Sequence, residues 1–160
     1  MTNKPAAFWN KPVLADATVS LRGDVTMIGK TISHYKIVEK IGQGGMGIVY
    51  LASDTLLGRK VAVKFLPDSL KQDETARKRF EREARSAAAL DHPFICAIHD
   101  VGESEGKSFI VMEYLEGRTL GDRLTQGALP LKHAMQWAAA IAEAFAEAHE
   151  KGLIYRDLKP

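Results

Sequence analysis

The segment Ile41-Gly42-Gln43-Gly44-Gly45-Met46-Gly47-Ile48-Val49-Tyr50 constrains the fold more than any other stretch of the chain. Gly42, Gly44 and Gly47 have the G-x-G-x-x-G spacing, which dinucleotide-binding folds also use. In those folds the last glycine opens a helix, and an acidic residue follows about twenty positions on. Here Gly47 runs instead into Ile48-Val49-Tyr50-Leu51, residues that favour a strand. The glycines therefore read as the tip of a β-hairpin. Such a tip lets backbone N–H groups approach phosphate oxygens with no side chain in the way; a flexible turn is the plainer alternative.

The flanking sequence extends the strand reading. HYKIVEKIG sets Tyr35, Ile37 and Ile41 against Lys36 and Lys40, and MGIVYLAS and KVAVKFLP read as further strands separated by the turn-like DTLLGR. Short connections between them imply an antiparallel meander. DETARKRFEREARSAAAL is rich in helix formers, with Asp73 or a neighbour placed to cap it, and Asp91-His92-Pro93 stops it. FICAIHDVG and KSFIVMEYL then read as two more strands joined at GESEG. Beyond Gly117 come a short TLGDRL segment and the long LKHAMQWAAAIAEAFAEAHEKG helix, which ends near Gly152. In that helix Ala134, Trp137, Ala138, Ile141, Phe145 and Ala148 recur at helical spacing and predict its packing face. The expectation is an α+β chain: a five-stranded antiparallel sheet with one helix, followed by a helical region.

Residues 1–33 lack periodicity and carry Pro5, Pro12, Gly23 and Gly29, which predicts a flexible N-terminal extension. Gly29-Lys30-Thr31 imitates the end of a P-loop. That motif needs a glycine five positions before its Gly-Lys, where the chain has Asp24, and Gly23 is one residue out of register. The composition, 46% hydrophobic and 26% charged with a net charge of +2, argues for neither nucleic acid nor membrane surface as partner. The single cysteine, Cys96, excludes an internal disulfide framework and a Cys-rich metal site. With no membrane-length apolar run and no apolar secretion signal, a cytoplasmic location is the expectation.

Two charged residues sit where charge is unusual. Alternation in KVAVKF places Ala62 and Lys64 on one face of a strand and Val61, Val63 and Phe65 on the other. Glu83 shares a helix face with Phe80, Ala87 and Leu90, whereas Glu74 and Glu81 have nearby basic residues at helical spacing. A carboxylate near an apolar interface needs a cation, and either Lys64 or Arg79 could supply it.

The chain closes on Tyr155-Arg156-Asp157-Leu158-Lys159-Pro160. Taken in order, G-x-G-x-x-G-x-V from Gly42 to Val49, V-A-V-K ending at Lys64, the helix glutamate and this last stretch resemble the eukaryotic-like serine/threonine protein kinases over roughly residues 34–160. The resemblance implies a flexible extension at 1–33, a kinase small lobe at 34–112, a hinge at 113–117 and an incomplete start of the large lobe at 118–160. It implies that ATP is held by Ile41, by the loop Gly42, Gln43, Gly44, Gly45, Met46 and Gly47, and by Val49, Ala62, Lys64, Met112, Glu113 and Leu115. It pairs Glu83 with Lys64, makes Asp157 the residue that orients the substrate hydroxyl and accepts its proton, and has Lys159 neutralise the transferring phosphoryl group. The lysine of D-L-K-P resembles Ser/Thr-directed members, and Arg156 those whose activation segment is ordered by phosphorylation. Tyr155 departs mildly, standing where the family usually has a histidine that packs.

In such kinases the asparagine and Asp-Phe-Gly that bind Mg²⁺ would fall beyond Pro160, so no metal ligand is assigned. The helices meant to cover Trp137, Ile141 and Phe145 would fall there too. The chain is expected to be a fragment that transfers phosphate poorly alone. A non-catalytic nucleotide-binding or interaction module is the main rival reading, and a small-molecule phosphotransferase a weaker one.

Overall fold

The computed structural model describes residues 27–44, 47–67 and 73–154. Strands β1 (Thr31–Ile32), β2 (Tyr35–Gly44), β3 (Gly47–Asp54) and β4 (Arg59–Phe65) precede helix α1 (Glu74–Ala88). Strands β5 (Ile98–Ser104) and β6 (Lys107–Glu113) follow, then helices α2 (Leu120–Leu124) and α3 (Leu131–Glu150). The described residues divide into two compact units, one holding the chain through Ala84 together with Ile98–Tyr114, the other Arg85–Ala97 and the chain from Leu115 onward.

The first unit is a six-stranded antiparallel sheet in the order β1-β2-β3-β4-β6-β5. It therefore has one strand more than the alternation predicts. The additional strand, β1, lies inside the stretch read as a flexible extension, and Met27 and Ile32 from that stretch are buried in the core. Two residues are too few for a period-2 signal, so this strand is set by its pairing with Tyr35 and Lys36.

One face of the sheet builds the core from Tyr35, Ile37, Tyr50, Ala52, Val61, Val63, Phe65, Phe109 and Val111. Tyr50, Phe65, Phe109 and Tyr35 meet through edge-on or tilted ring contacts at centroid distances of 5.8–6.4 Å. The sheet curls enough for Tyr35 on β2 to donate a hydrogen bond to Asp100 on the far strand β5, at 3.1 Å. Burial first, and then that acidic partner, push the Tyr35 hydroxyl pKa up to about 12.

At the β3–β4 turn the Asp54 side chain, 1% exposed, accepts hydrogen bonds from the Leu56 and Leu57 N–H groups and from Arg59 Nε. The Leu57 N–H foremost holds its carboxyl below the usual carboxylate range. Because the folded-state pKa is depressed, this stabilisation is fully present above the unfolded value of about 3.9 and is lost as pH falls through the lower folded value. Asp54→Ala is expected to lower the melting temperature by roughly 5 °C at pH 7. Comparing urea midpoints at pH 7 and pH 3 tests the sign: the gap between wild type and variant should narrow in acid.

Ser108 is 3% exposed, and its Oγ has no hydrogen-bond partner among the described residues. Since a buried unpaired hydroxyl costs more than it returns, Ser108→Ala should leave stability unchanged or raise it by about 1 kcal/mol. A drop in the urea midpoint would contradict this.

Helix α1 begins as its sequence dictates, with the Asp73 carboxylate accepting the Ala76 N–H at 3.0 Å. Its buried line is Ala84, Ala87 and Leu90, with Phe80 half-buried. Glu83 lies beside that line and is exposed, contrary to the expectation that it shares the packed face.

In the second unit Thr119 and Asp122 form a reciprocal capping box on α2. Helix α3 ends in a Schellman motif: Gly152, at φ 74°, donates to the His149 carbonyl, and Leu153 donates to that of Ala148. Ala144 and Ala148 pack with Leu90 and Ile95, and Ala140 continues the buried line. Trp137, Ile141 and Phe145, predicted as the packing face, are only half-buried. The packed line is rotated toward the alanines, whose short side chains allow closer approach.

Candidate functional site

The site grows out of the register of the central strands. Gly42 opposes Val49, and Gly44 opposes Gly47, across the β2–β3 hairpin. Val49 in turn lies beside Lys64, and Leu51 beside Ala62, across β3–β4. On β6, Ile110 pairs with Lys64 and Met112 with Ala62. Directly opposed residues share a sheet face, so Gly42, Val49, Leu51, Ala62, Lys64, Ile110 and Met112 all lie on the face opposite the aromatic core. The alternation read in KVAVKF thus brings Val49, Ala62, Lys64 and Met112 onto one surface, with the glycine hairpin at its end. Leu51 and Ile110 belong to the same surface and were not singled out from sequence. The signal was there, two residues along from Val49 and from Met112.

Lys64 is half-buried, and burial pushes its ammonium pKa below the ordinary lysine value. The negative charge of Glu83 opposes that shift, so α1 places its carboxylate within electrostatic reach. Among the described residues no ion pair within 4 Å joins Glu83 to Lys64 or to Arg79. The chemical result is a cation deprived of part of its water, bordered by apolar and backbone surface, and therefore favouring an anion of opposite charge. Phosphate oxygens suit it, because they supply the charge that the surrounding protein withholds.

Residues 35–160 match the protein kinase domain. The chain belongs to the protein kinase family. It is 46% identical over 136 residues to the serine/threonine-protein kinase PrkC of Bacillus subtilis, covering 84% of this chain and 21% of that protein. It is 44% identical over 126 residues to the serine/threonine-protein kinase pkn2 of Myxococcus xanthus, covering 79% of this chain and 15% of that one. The crystal structure of the Mycobacterium tuberculosis PknI kinase domain superposes with a TM-score of 0.73 at 34% identity, covering 82% of this chain and 54% of that one. The chain thus spans about a fifth or less of those curated relatives and about half of that solved kinase domain.

Within this kinase chain the expected nucleotide residues have distinct settings. Gly42, Gly47, Val49, Ala62 and Met112 are buried, Ile41 and Glu113 half-buried, and Gln43 and Gly44 exposed. β6 runs through Glu113, one residue into the expected hinge, and Leu115 falls in the second unit. Gly45, Met46, Asp157 and Lys159 lie outside the described residues. No cluster of three His, Cys, Asp or Glu residues able to hold a metal occurs among the described residues. No described helix is long and apolar enough to cross a membrane.

Proposed function

We propose that this chain is the ATP-binding part of a protein serine/threonine kinase and carries the catalytic aspartate of phosphoryl transfer to Ser or Thr hydroxyls. The observation that supports it best is the single sheet face that sets the half-buried Lys64 among Val49, Ala62 and Met112 beside the glycine hairpin. Backbone N–H groups of Gly42, Gly44 and Gly47 would meet the phosphates, and Lys64 would neutralise the α- and β-phosphate charge. Ile41, Val49, Ala62 and Met112 would contact the adenine ring, with the backbone of Glu113 and of Leu115 serving its polar edge.

In the transfer itself the substrate hydroxyl oxygen bonds to the γ-phosphorus as the bond to the bridging oxygen breaks and ADP leaves. The hydroxyl proton passes to Asp157, and Lys159 offsets charge on the phosphoryl oxygens. Mg²⁺ serves the family as charge neutraliser. Among the described residues no cluster of three His, Cys, Asp or Glu could hold it, so none of them is assigned as a metal ligand.

Calorimetric titration tests the binding half. ATP should bind more tightly than adenosine, and equal affinities would overturn the phosphate reading. Incubation with MgATP and a basic protein substrate tests the chemistry. The expected result for this chain alone is little incorporation, and robust incorporation that Asp157→Asn abolishes would show a competent kinase. Nucleotide binding without transfer is the second reading, and the absence of a direct Lys64–Glu83 ion pair favours it. Tight ATP binding with no transfer under any condition would support it.

A further inference from the structure

The β2–β3 hairpin contains a device that backbone binding of phosphate does not by itself require. Lys40 pairs with Tyr50 and Gly42 with Val49, so the ladder slips between them and Ile41 is the extra residue of a β-bulge. A bulged residue has no ladder partner, the strand bends there, and its side chain is re-aimed. Glycine follows at once at Gly42 and again at Gly44, which makes this the most deformable part of the strand. Across that point Lys40 Nζ donates a hydrogen bond to Gln43 Oε1 at 2.5 Å, joining the two sides of the bulge. Lys40 opposes Tyr50 and Gln43 opposes Ile48, so alternation turns both exposed side chains away from the face that carries Val49 and Lys64. The ammonium is thereby engaged on the face of the hairpin opposite Val49 and Lys64.

We propose that Lys40 and Gln43 form a clip across the Ile41 bulge that fixes the pose of the glycine hairpin, and that they are positioning residues for a phosphate-bearing nucleotide. This rests on the nucleotide-binding reading above. The rival role for Lys40 is a direct charge contact with the phosphates, and the two roles differ in how substitutions combine.

The test compares the wild-type chain with Lys40→Met, Gln43→Ala, the double variant and Gln43→Glu, which retains an acceptor oxygen. Amide hydrogen exchange over Gly42–Val49 is read without ligand, and ATP affinity by titration. Each single variant should speed exchange in that segment and weaken ATP binding about fivefold, the worth of one hydrogen bond. The double variant should be no weaker than either single, and Gln43→Glu should restore both readouts. Unchanged exchange in the single variants, additive losses in the double, or a loss confined to Lys40→Met would each overturn the proposal. Failure of the wild type to bind ATP would overturn the nucleotide reading and the positioning role with it. The ligand-free exchange would still uphold or overturn the clip itself.

Discussion

Gly47→Ala should abolish cooperative folding of the sheet, whereas Gly44→Ala, three residues away in the same motif, should leave the melting temperature within about 2 °C of wild type. Gly47 has φ +111°, a conformation side-chain-bearing residues rarely adopt, and a Cβ placed on it would lie 1.9 Å from the carbonyl oxygen of Phe65. That obstacle is β4 backbone and cannot rotate aside. Phe65 pairs with Ile48 and Phe109 and sits in the aromatic core, so relieving the clash means breaking the β3–β4 and β4–β6 register together. A cost of more than about 3 kcal/mol follows, a large share of the 5–15 kcal/mol that holds a typical domain together. Around Gly44 nothing lies within 4 Å of the added atom and its φ is ordinary. Its substitution should therefore preserve the fold and weaken ATP binding alone. Circular dichroism melts of the two variants decide the matter, and a Gly47→Ala melt superimposable on wild type would refute it. Loss of nucleotide binding in Gly47→Ala should accordingly be read as loss of the sheet, since the third glycine of the motif is a folding residue as well as a candidate phosphate contact.

That division within one motif shows where sequence suffices. Alternation in KVAVKF separates Lys64 from the core face because a strand's period is fixed at two, and the structure follows it residue by residue. The Asp73 cap and the Gly152 terminus were legible for the same reason: each is a local hydrogen-bonding requirement with a known residue preference. Three features were not legible. β1 is defined by its partner in β2 and has no pattern of its own. In the packed lines of α1 and α3 the stripes marked Ala87, Leu90 and Ala148, which are buried, but missed Ala84, Ala140 and Ala144. A hydrophobic stripe gives most weight to bulk and so pointed to Glu83 and Trp137 as neighbours of the core. The glycine spacing suggested phosphate contacts but could not reveal that Gly47 faces a backbone oxygen, which depends on how β4 lies against β3.

Lys64→Met should make the protein more stable and its ATP binding far weaker, opposite signs from one substitution. The side chain is half-buried, burial lowers its pKa, and among the described residues only the more distant charge of Glu83 compensates. Methionine fills similar space without a charge to desolvate, so stability near pH 7 should rise by about 1 kcal/mol. The pH dependence has a definite sign. In the window between the lowered folded-state pKa and the unfolded value of about 10.4, the unfolded chain binds more protons at Lys64 than the native one. Wild-type stability therefore climbs with pH relative to the variant. The advantage of methionine is greatest at neutral pH and fades as pH rises through that window. ATP reverses the balance, because its phosphates supply the anion the site lacks and restore the charged form, so binding within the window should take up a proton. Loss of that contact should weaken ATP binding at least tenfold, the scale of one charge-assisted hydrogen bond. Denaturant melts from pH 7 to 10, together with ATP titrations in buffers of different ionisation enthalpy, measure each part. A variant less stable than wild type at pH 7, with ATP affinity unchanged, would mean that Lys64 is a structural residue and that the sheet face it occupies is not a phosphate site.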